Sequence, residues 1–196
     1  MTIASQKMTL EEYLAYDDGT DTHYELVNGE LVAMPPESRL NARIAMFLVA
    51  EFLKFVPFHL ICCKDTEIEV SGRFAQARLP DVMILSEELD AILGNARGTI
   101  TRNMPPPRLV VEVVSPGQEN KDRDYRYKRS EYAARGIEEY WIVDPQRQAI
   151  TLLTLVNGLY EEAVFQGAQP LRSHQFPQLA LTAEQVMQGG RSSQER

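Results

Sequence analysis

The sequence predicts a mixed α/β (α+β) fold in which helices flank a β-sheet. Between residues 108 and 145 a short apolar run, a helical segment and a second apolar run follow one another, which is the order of a βαβ unit with parallel strands. Asn-Gly pairs at 28–29 and 157–158 predict a β-hairpin near each end of the chain. Together these patterns predict a mixed sheet with N- and C-terminal hairpins, covered by helices.

Two helices are predicted in the first third of the chain. Thr9 and Glu12 have the spacing of a capping box, which predicts a short helix over 8–16. Ser38 can cap a longer helix over 38–55, after Pro35-Pro36 has ended the first hairpin. We expect the apolar stripe of this helix to lie in the core, with Leu40, Ile44, Phe47, Leu48, Phe52 and Phe55 as its members.

The middle of the chain alternates strand and loop signals. Residues 59–70 and 78–85 each read as one strand, paired across a turn around Gly72. A short helix is expected over 87–95, and the proline-rich segment after it reads as a loop that enters the central strand, 109–114.

The last third completes the predicted fold. A helix over 122–135 with Gly136 as its C-terminal cap leads into a strand over 139–144. A second hairpin over 149–165 follows, and Thr182 with Gln185 predicts a terminal helix.

Composition fits one domain over 1–188, followed by a tail, 189–196, that we expect to be disordered. No apolar stretch approaches the roughly 20 residues needed to span a bilayer. Residues 1–7 lack the apolar centre of a secretory signal, which predicts a cytoplasmic protein. The only cysteines, Cys62 and Cys63, are adjacent and would point to opposite faces of a strand, so they predict neither a disulfide nor a metal site.

The formal net charge is -8. Proteins that bind nucleic acid through phosphate contacts normally present a basic surface. A nucleic-acid role for this chain would therefore depend on a local basic patch or on bound cations. Arg123, Arg126, Arg129 and Arg135 could form such a patch, but a solvated, salt-bridged helix surface explains them equally well.

The candidate site begins with Glu112, the one carboxylate in the apolar run 109–114. A strand of this composition is buried on both faces, and an ionised carboxylate leaves water only when it is paired, hydrogen-bonded or bound to a metal. A partly solvated or salt-bridged glutamate at a strand end remains the alternative.

Helical spacing supplies a partner for Glu112. At 100° per residue, Tyr125, Lys128 and Tyr132 share one narrow face of the predicted helix. If the tyrosines pack on the sheet, Lys128 also points at it and can reach Glu112. Asp124 falls to one side of this face, where capping and solvation of the helix start explain it and Asp122.

A second acid, Asp81, directly follows Pro80 at the start of a separate strand. If that strand lies beside the Glu112 strand, two carboxylates and one lysine converge. Such oxygen ligands suit Mg²⁺ or Mn²⁺, and the lysine could orient a water and stabilise charge on phosphorus. Glu25, in the first hairpin, is the candidate for a further metal ligand or for polarising that water.

Linked motifs extend this interpretation. YELVNGELV at 24–32, LPD at 79–81, LVVEVVSP at 109–116 and KRSEYAARGIEEYWIVDP at 128–145 occur in one order. The chain thereby resembles the Uma family (DUF820-like) of "putative restriction endonucleases", within the PD-(D/E)XK nuclease superfamily, over about residues 8–187. The resemblance implies a restriction-endonuclease-like fold with metal ligands on neighbouring central strands.

Carried over to this sequence, the resemblance makes Asp81 the first acid and Glu112 the second. Glu25 matches the glutamate of the first hairpin, and Lys128 is a catalytic lysine displaced onto the following helix. The superfamily's usual lysine, two residues after the second acid, is Val114 here. Many family members also carry a histidine where this chain has Asn41.

Two functions follow as hypotheses. The first is a Mg²⁺- or Mn²⁺-dependent endonuclease in which Asp81 and Glu112 bind the metal, Glu25 assists and Lys128 positions the attacking water on a DNA phosphodiester. The second is a non-catalytic interaction or assembly module in which the same charges form a structural network. Exposed strand edges make a homodimer plausible, as expected of an enzyme that cuts both strands.

Overall fold

The computed structural model describes residues 7–20, 22–34, 37–71, 75–95 and 97–191. Pro35-Pro36, Gly72 and residues 192–196 lie outside them. The α-helices are α1 Leu10–Leu14, α2 Arg39–Phe52, α3 Glu87–Leu93, α4 Gln118–Asp122, α5 Arg129–Arg135 and α6 Ala183–Met187. The strands are β1 Tyr24–Val27, β2 Glu30–Ala33, β3 Ile61–Cys62, β4 Glu67–Glu69, β5 Ala75–Arg78, β6 Val82–Ile84, β7 Thr99–Ile100, β8 Leu109–Val113, β9 Glu139–Asp144, β10 Ala149–Val156 and β11 Leu159–Gln166.

The larger sheet has six strands in the order β11-β10-β9-β8-β6-β3. Its central pair, β8 and β9, is parallel, and every other neighbouring pair is antiparallel. The helical connection between the central strands completes the predicted βαβ unit. Every residue of both strands is buried, as expected when helices cover both faces of a parallel pair.

The smaller sheet has five strands in the order β2-β1-β5-β4-β7. Both predicted hairpins are present, one at the edge of each sheet. Asn28 and Asn157 have φ of 53° and 51°, and the glycine after each also has positive φ. Two successive residues with positive φ match the twist of a tight hairpin, so Asn-Gly was a reliable signal.

Two predicted strands are wrong because each divides between the sheets. The 59–70 segment forms a 3₁₀ turn, then β3 in the larger sheet and β4 in the smaller one, with a turn between them. The 78–85 segment likewise contains the end of β5 and all of β6. Leu79, Pro80 and Asp81 carry the chain from one sheet to the other, and Pro80 cannot donate the hydrogen bond that a continuous strand would need.

The helix ends largely follow the capping signals. Both capping boxes form, Ser38 accepts a hydrogen bond from the Asn41 backbone, and Gly136 adopts a left-handed φ of 82°. The core stripe of α2 was wrong at Leu40, which is 42% exposed in the first turn. The predicted 122–135 helix begins earlier, at Gln118, and contains a π-helical segment, Arg123–Lys128.

The main core lies on both faces of the larger sheet. Trp141 packs against Phe52 of α2 on one face, and Tyr140 packs edge-on against Tyr132 of α5 on the other. Both cysteines are free thiols. Among the described residues, no helix has the length and apolarity that a membrane crossing requires.

Candidate active site

The two predicted acids of the central sheet lie next to each other, Glu112 on β8 and Asp81 immediately before β6. Val82 of β6 pairs with Val111 of β8, so the same register sets Asp81 opposite Glu112, and opposite residues have Cβ atoms about 5 Å apart. The backbone N–H of Val113 donates to Asp81 Oδ2 at 2.6 Å. Both carboxylates are buried, and their side chains share one face of the sheet.

Lys128 lies beside Glu112 with its side chain 1% exposed. Its Nζ is 2.7 Å from Glu112 Oε2, 3.5 Å from Asp124 Oδ1 and 3.9 Å from Glu25 Oε1. Burial alone would lower the pKa of Lys128, but these three carboxylates raise it above its ordinary value. The ammonium therefore stays charged and cannot serve as a proton acceptor.

Glu25 reaches the site from β1 of the smaller sheet. Its Oε2 accepts from Arg78 Nη1 at 2.9 Å, and its Oε1 accepts from the Leu79 N–H at 3.3 Å. Burial would raise the pKa of Glu25, but Lys128 and Arg78 hold it below its usual value. Glu25 is thus an ionised carboxylate that links β1 to the segment leading to Asp81.

Sequence reasoning missed two residues that complete this network. Arg78 donates to Glu131 at 2.9 and 3.2 Å as well as to Glu25. Glu131 is buried, so it is not part of a solvated helix surface, which was one of the two explanations left open for this helix. Arg78 lies 53 positions from each partner, so no local periodicity could have paired them.

Asp124 was also misjudged, because it is 1% exposed rather than solvated at a helix start. The helix begins at Gln118 rather than 122, so Asp124 lies inside it, and residues four apart such as Asp124 and Lys128 are neighbours on one helix face. Asp124 Oδ1 accepts from Arg123 Nε at 3.1 Å. Its Oδ2 is buried with no hydrogen-bond partner among the described residues.

The environment of Glu112 raises its pKa above the ordinary value. Tyr132 donates its hydroxyl to Glu112 Oε1 at 2.7 Å. Burial, opposed by Lys128 and reinforced by Asp81 and Asp124, raises the pKa of Glu112 to about 7. Glu112 is 3% exposed, so the partly solvated form of the strand-end alternative is wrong. Its salt-bridged form is present, because Glu112 Oε2 lies 2.7 Å from Lys128 Nζ.

A second lysine approaches the site from its solvent side. Lys64 Nζ lies 3.0 Å from Asp81 Oδ1 and 2.7 Å from Glu37 Oε2. Its side chain is 33% exposed, compared with 1% for Lys128. Sequence analysis missed this contact because it treated the segment containing Lys64 as one continuous strand.

The described side chains of the site carry more negative than positive charge. Six carboxylates, namely Glu25, Glu37, Asp81, Glu112, Asp124 and Glu131, surround four cations, namely Lys64, Arg78, Arg123 and Lys128. When all are ionised, two negative charges are unbalanced. That excess and the unpartnered oxygen of Asp124 fit a divalent cation.

The arrangement of the side chains limits how many protein ligands such a cation could have. Among the described residues, no three His, Cys, Asp or Glu side chains are grouped closely enough to form a metal site by themselves. Asp81 and Glu112 would instead hold the ion together with water and substrate. Mg²⁺ is commonly bound in this way, through one or two carboxylates, several waters and a substrate phosphate.

Comparison with known proteins identifies the family and the fold of this chain. The family model described as "Uma2: Putative restriction endonuclease" matches residues 10–184. The chain belongs to the Uma2 family. No curated protein matches the sequence.

A solved structure shares the Uma2 chain's fold. It is titled as the crystal structure of a putative nuclease belonging to DUF820 from Anabaena variabilis ATCC 29413, and it covers 94% of this chain and 99% of its own. The TM-score is 0.70 at 16% sequence identity. The predicted restriction-endonuclease-like fold is confirmed in class, with its strands divided between two mixed sheets.

The structure shows the surroundings of the two residues that depart from the family pattern. Val114, at the position of the superfamily's usual lysine, is buried, and the nearest ammonium to Glu112 belongs to Lys128. Asn41, at the family's histidine position, is buried and directs Nδ2 at the carbonyls of Val113 and Val114, at 3.3 and 3.4 Å. Asn41 therefore contacts the end of the strand that carries Glu112.

The arginines of the connecting helix are mostly engaged within the protein. Arg129 donates to Glu162, and Arg135 donates to the carbonyls of Thr101 and Met104. Arg126 is 69% exposed and 3.8 Å from Asp122. The salt-bridged interpretation of this helix surface thus describes it better than a free phosphate-binding patch.

Proposed function

We propose that this Uma2 protein is a metal-dependent endonuclease that hydrolyses DNA phosphodiester bonds. The observation that carries the proposal is the convergence of Asp81, Glu112 and the Lys128 ammonium in a site with excess negative charge. Asp81 and Glu112 would hold Mg²⁺ or Mn²⁺, with Glu25 assisting from the neighbouring sheet. Membership of a family described as restriction endonucleases supports the choice of substrate.

The bound ion would supply Lewis-acid stabilisation of the phosphorane-like charge and a more acidic water. Lys128 acts as a fixed cation and not as a base, because its pKa is raised and three carboxylates surround it. From beside Glu112 it orients the attacking water. Glu25 binds Arg78 and limits the movement of the Lys128 ammonium, so the attacking water keeps its orientation.

Overall charge shapes how the enzyme would meet DNA. With a net charge of -8, the surface gives little general attraction for phosphates, so binding would depend on the metal and on local cations.

Cutting both strands needs two sites, and we propose a homodimer. The edge strand β11 offers exposed apolar side chains, with Leu159 75% and Val164 48% exposed, at which a second copy could pair.

A cleavage assay tests the proposal. Supercoiled and single-stranded DNA are incubated with Mg²⁺ or Mn²⁺ and wild type, Asp81→Ala or Lys128→Ala. We expect metal-dependent nicking that each substitution reduces at least about 100-fold. Glu51→Gln is the control, because Glu51 pairs with Lys54 on the surface. Absence of metal-dependent nicking by the wild type, or undiminished nicking by both variants, would refute the proposal.

The alternative is a non-catalytic assembly module, favoured by the fact that Arg78, Glu25 and Glu131 already form a complete buried ion network. Metal titration separates the two functions. The nuclease predicts that Mn²⁺ raises the melting temperature, by the equivalent of about 2.7 kcal/mol at 100 times Kd. Glu112→Ala should abolish that increase, whereas the module predicts no metal dependence in any variant.

A further inference from the structure

Lys64 lies in the turn between β3 and β4, where the chain passes from the larger sheet to the smaller one. Its φ of 58° is left-handed, a conformation that costs a non-glycine residue free energy. The turn directs its side chain across the solvent side of Asp81. Lys64 therefore reaches the proposed metal-binding edge from an element that the mechanism described above does not use.

The two oxygens of Asp81 have different partners. Oδ2 accepts the backbone N–H of Val113 at 2.6 Å, so it is directed into the sheet. Oδ1 faces the Lys64 ammonium at 3.0 Å. A cation that approaches Asp81 from solvent therefore meets the oxygen that Lys64 already contacts.

An ammonium and a divalent ion compete for such an oxygen. Near a protein surface, two like charges this close repel each other strongly, and a dication repels an ammonium more than a single charge does. A dication on Asp81 Oδ1 would therefore displace Lys64. Glu37, 2.7 Å from the same Nζ, would retain the ammonium close to the site after displacement.

The two lysines differ in what they can reach. Lys128 is 1% exposed and enclosed by carboxylates, whereas the Lys64 side chain is 33% exposed beside the 11% exposed Asp81. A phosphodiester that enters from solvent can meet Lys64 without rearrangement of the core. An ammonium is a suitable point charge for a phosphate oxygen.

We propose that Lys64 occupies the cation-binding position on Asp81 in the absence of metal and, once the metal displaces it, binds the scissile phosphate. This inference rests on the proposed nuclease function. It makes Lys64 a substrate-binding residue and gives metal binding a second effect, the release of a phosphate-binding cation.

The first arm of the test measures Mn²⁺ affinity by calorimetry without nucleic acid. Lys64→Met, which removes the charge but keeps a long side chain, should bind Mn²⁺ about tenfold more tightly than wild type. Lys64→Arg keeps the charge and should stay within about threefold of wild type. Lys54→Met removes a surface ammonium that pairs with Glu51 and should change nothing. Equal affinity of Lys64→Met and wild type, tighter binding by Lys64→Arg equal to that of Lys64→Met, or no Mn²⁺ binding by any variant would overturn the inference.

The second arm measures DNA cleavage at saturating Mn²⁺. Lys64→Met should lower kcat/KM at least about tenfold, although it binds metal more tightly, and Lys54→Met should cleave like wild type. A purely structural lysine would not change the two quantities in opposite directions. Undiminished cleavage by Lys64→Met would refute phosphate binding. If wild type binds Mn²⁺ but cleaves no DNA, the nuclease proposal and the phosphate role both fail, while the first arm still decides whether Lys64 occupies the cation-binding position.

Discussion

Two buried glutamates, one on each of the central strands, show how differently a carboxylate can be kept out of water. Glu139 of β9 is 1% exposed and Glu112 of β8 is 3% exposed. Glu139 accepts hydrogen bonds from the Trp141 indole, the Ser173 hydroxyl and the N–H groups of His174 and Gln175, at 2.6 to 3.0 Å. Its partners are neutral donors.

Glu112 depends instead on charge. It contacts the Lys128 ammonium and the Tyr132 hydroxyl, and its neighbours include Asp81 and Asp124. Hydrogen bonds from neutral donors stabilise the ionised carboxylate of Glu139 without any nearby charge. The carboxylate of Glu112 is held instead within a network of charges whose sum is negative. Burial is therefore common to both glutamates, and excess charge distinguishes the candidate site.

The largest expected effect comes from Lys128→Met. The substitution keeps the apolar stem but leaves Glu112, Glu25 and Asp124 without their shared ammonium. Removing one partner of a buried ion pair typically costs about 3–5 kcal/mol, and we expect the free energy of unfolding in urea to fall by that amount. Lys128→Met combined with Glu112→Gln should recover part of the loss, because the unpaired charge is reduced.

Lys54→Met is the control for this measurement. Lys54 pairs with Glu51 at 2.7 Å with its side chain 64% exposed, and exposed pairs contribute at most about 1 kcal/mol. A Lys128→Met protein as stable as Lys54→Met would contradict the charge-network account of Glu112.

An intermediate effect is expected for Glu139→Gln. Glutamine has the same size but points an NH₂ group at hydrogen-bond donors, and the lost contacts should cost about 1–3 kcal/mol in urea unfolding. The loss should be the same with and without Mn²⁺, since Glu139 lies outside the charge network. A Mn²⁺-dependent loss would remove the distinction between the two glutamates.

The smallest effect, counted per pH unit, is a slope of stability with pH. In the folded protein the pKa of Glu112 is about 7, above its ordinary value of 4.5. The folded state thus holds this proton at pH values where the unfolded state has released it, so stability should decline as pH rises from about 4.5 to 7. The slope is at most about 1.4 kcal/mol per pH unit.

Urea unfolding in EDTA across this pH range measures the slope. Glu112→Gln, which has no carboxyl proton, should flatten it, and Glu139→Gln should leave it in place. A slope that survives in Glu112→Gln would mean that another group is responsible.

Local chemistry made much of the fold predictable. Asn-Gly pairs and capping boxes act within four residues, and the apolar strands of the βαβ unit are contiguous, so their sequence signals do not depend on distant contacts. The division of 59–70 between two sheets was not predictable in this way, because a strand's sheet is chosen by pairing with segments far along the chain.

The residues of the candidate site also differ in whether a local sequence signal could reveal them. Glu112 was conspicuous as a charge in an apolar run, and Lys128 followed from helical spacing. Asp124 was misjudged because the helix begins earlier than predicted, at Gln118, and Arg78 and Lys64 were missed because their partners are remote in sequence. Local sequence signals were thus sufficient for Glu112 and Lys128, whereas contacts between remote segments could not be predicted.

The crossing of Leu79, Pro80 and Asp81 between the sheets has a consequence for how the protein holds together. Among the described residues, the apolar cluster formed by α1, β1 and β5 has three buried members, Tyr13, Leu26 and Ala77, with five partly buried apolar residues packed against them. Glu25 and Arg78 also join this region, through Glu131 and Lys128, to the helical connection between β8 and β9. The charged side chains of the proposed nuclease site therefore also attach the N-terminal region. Selection for faster catalysis and selection for a firmly attached N-terminal region act on the same few side chains.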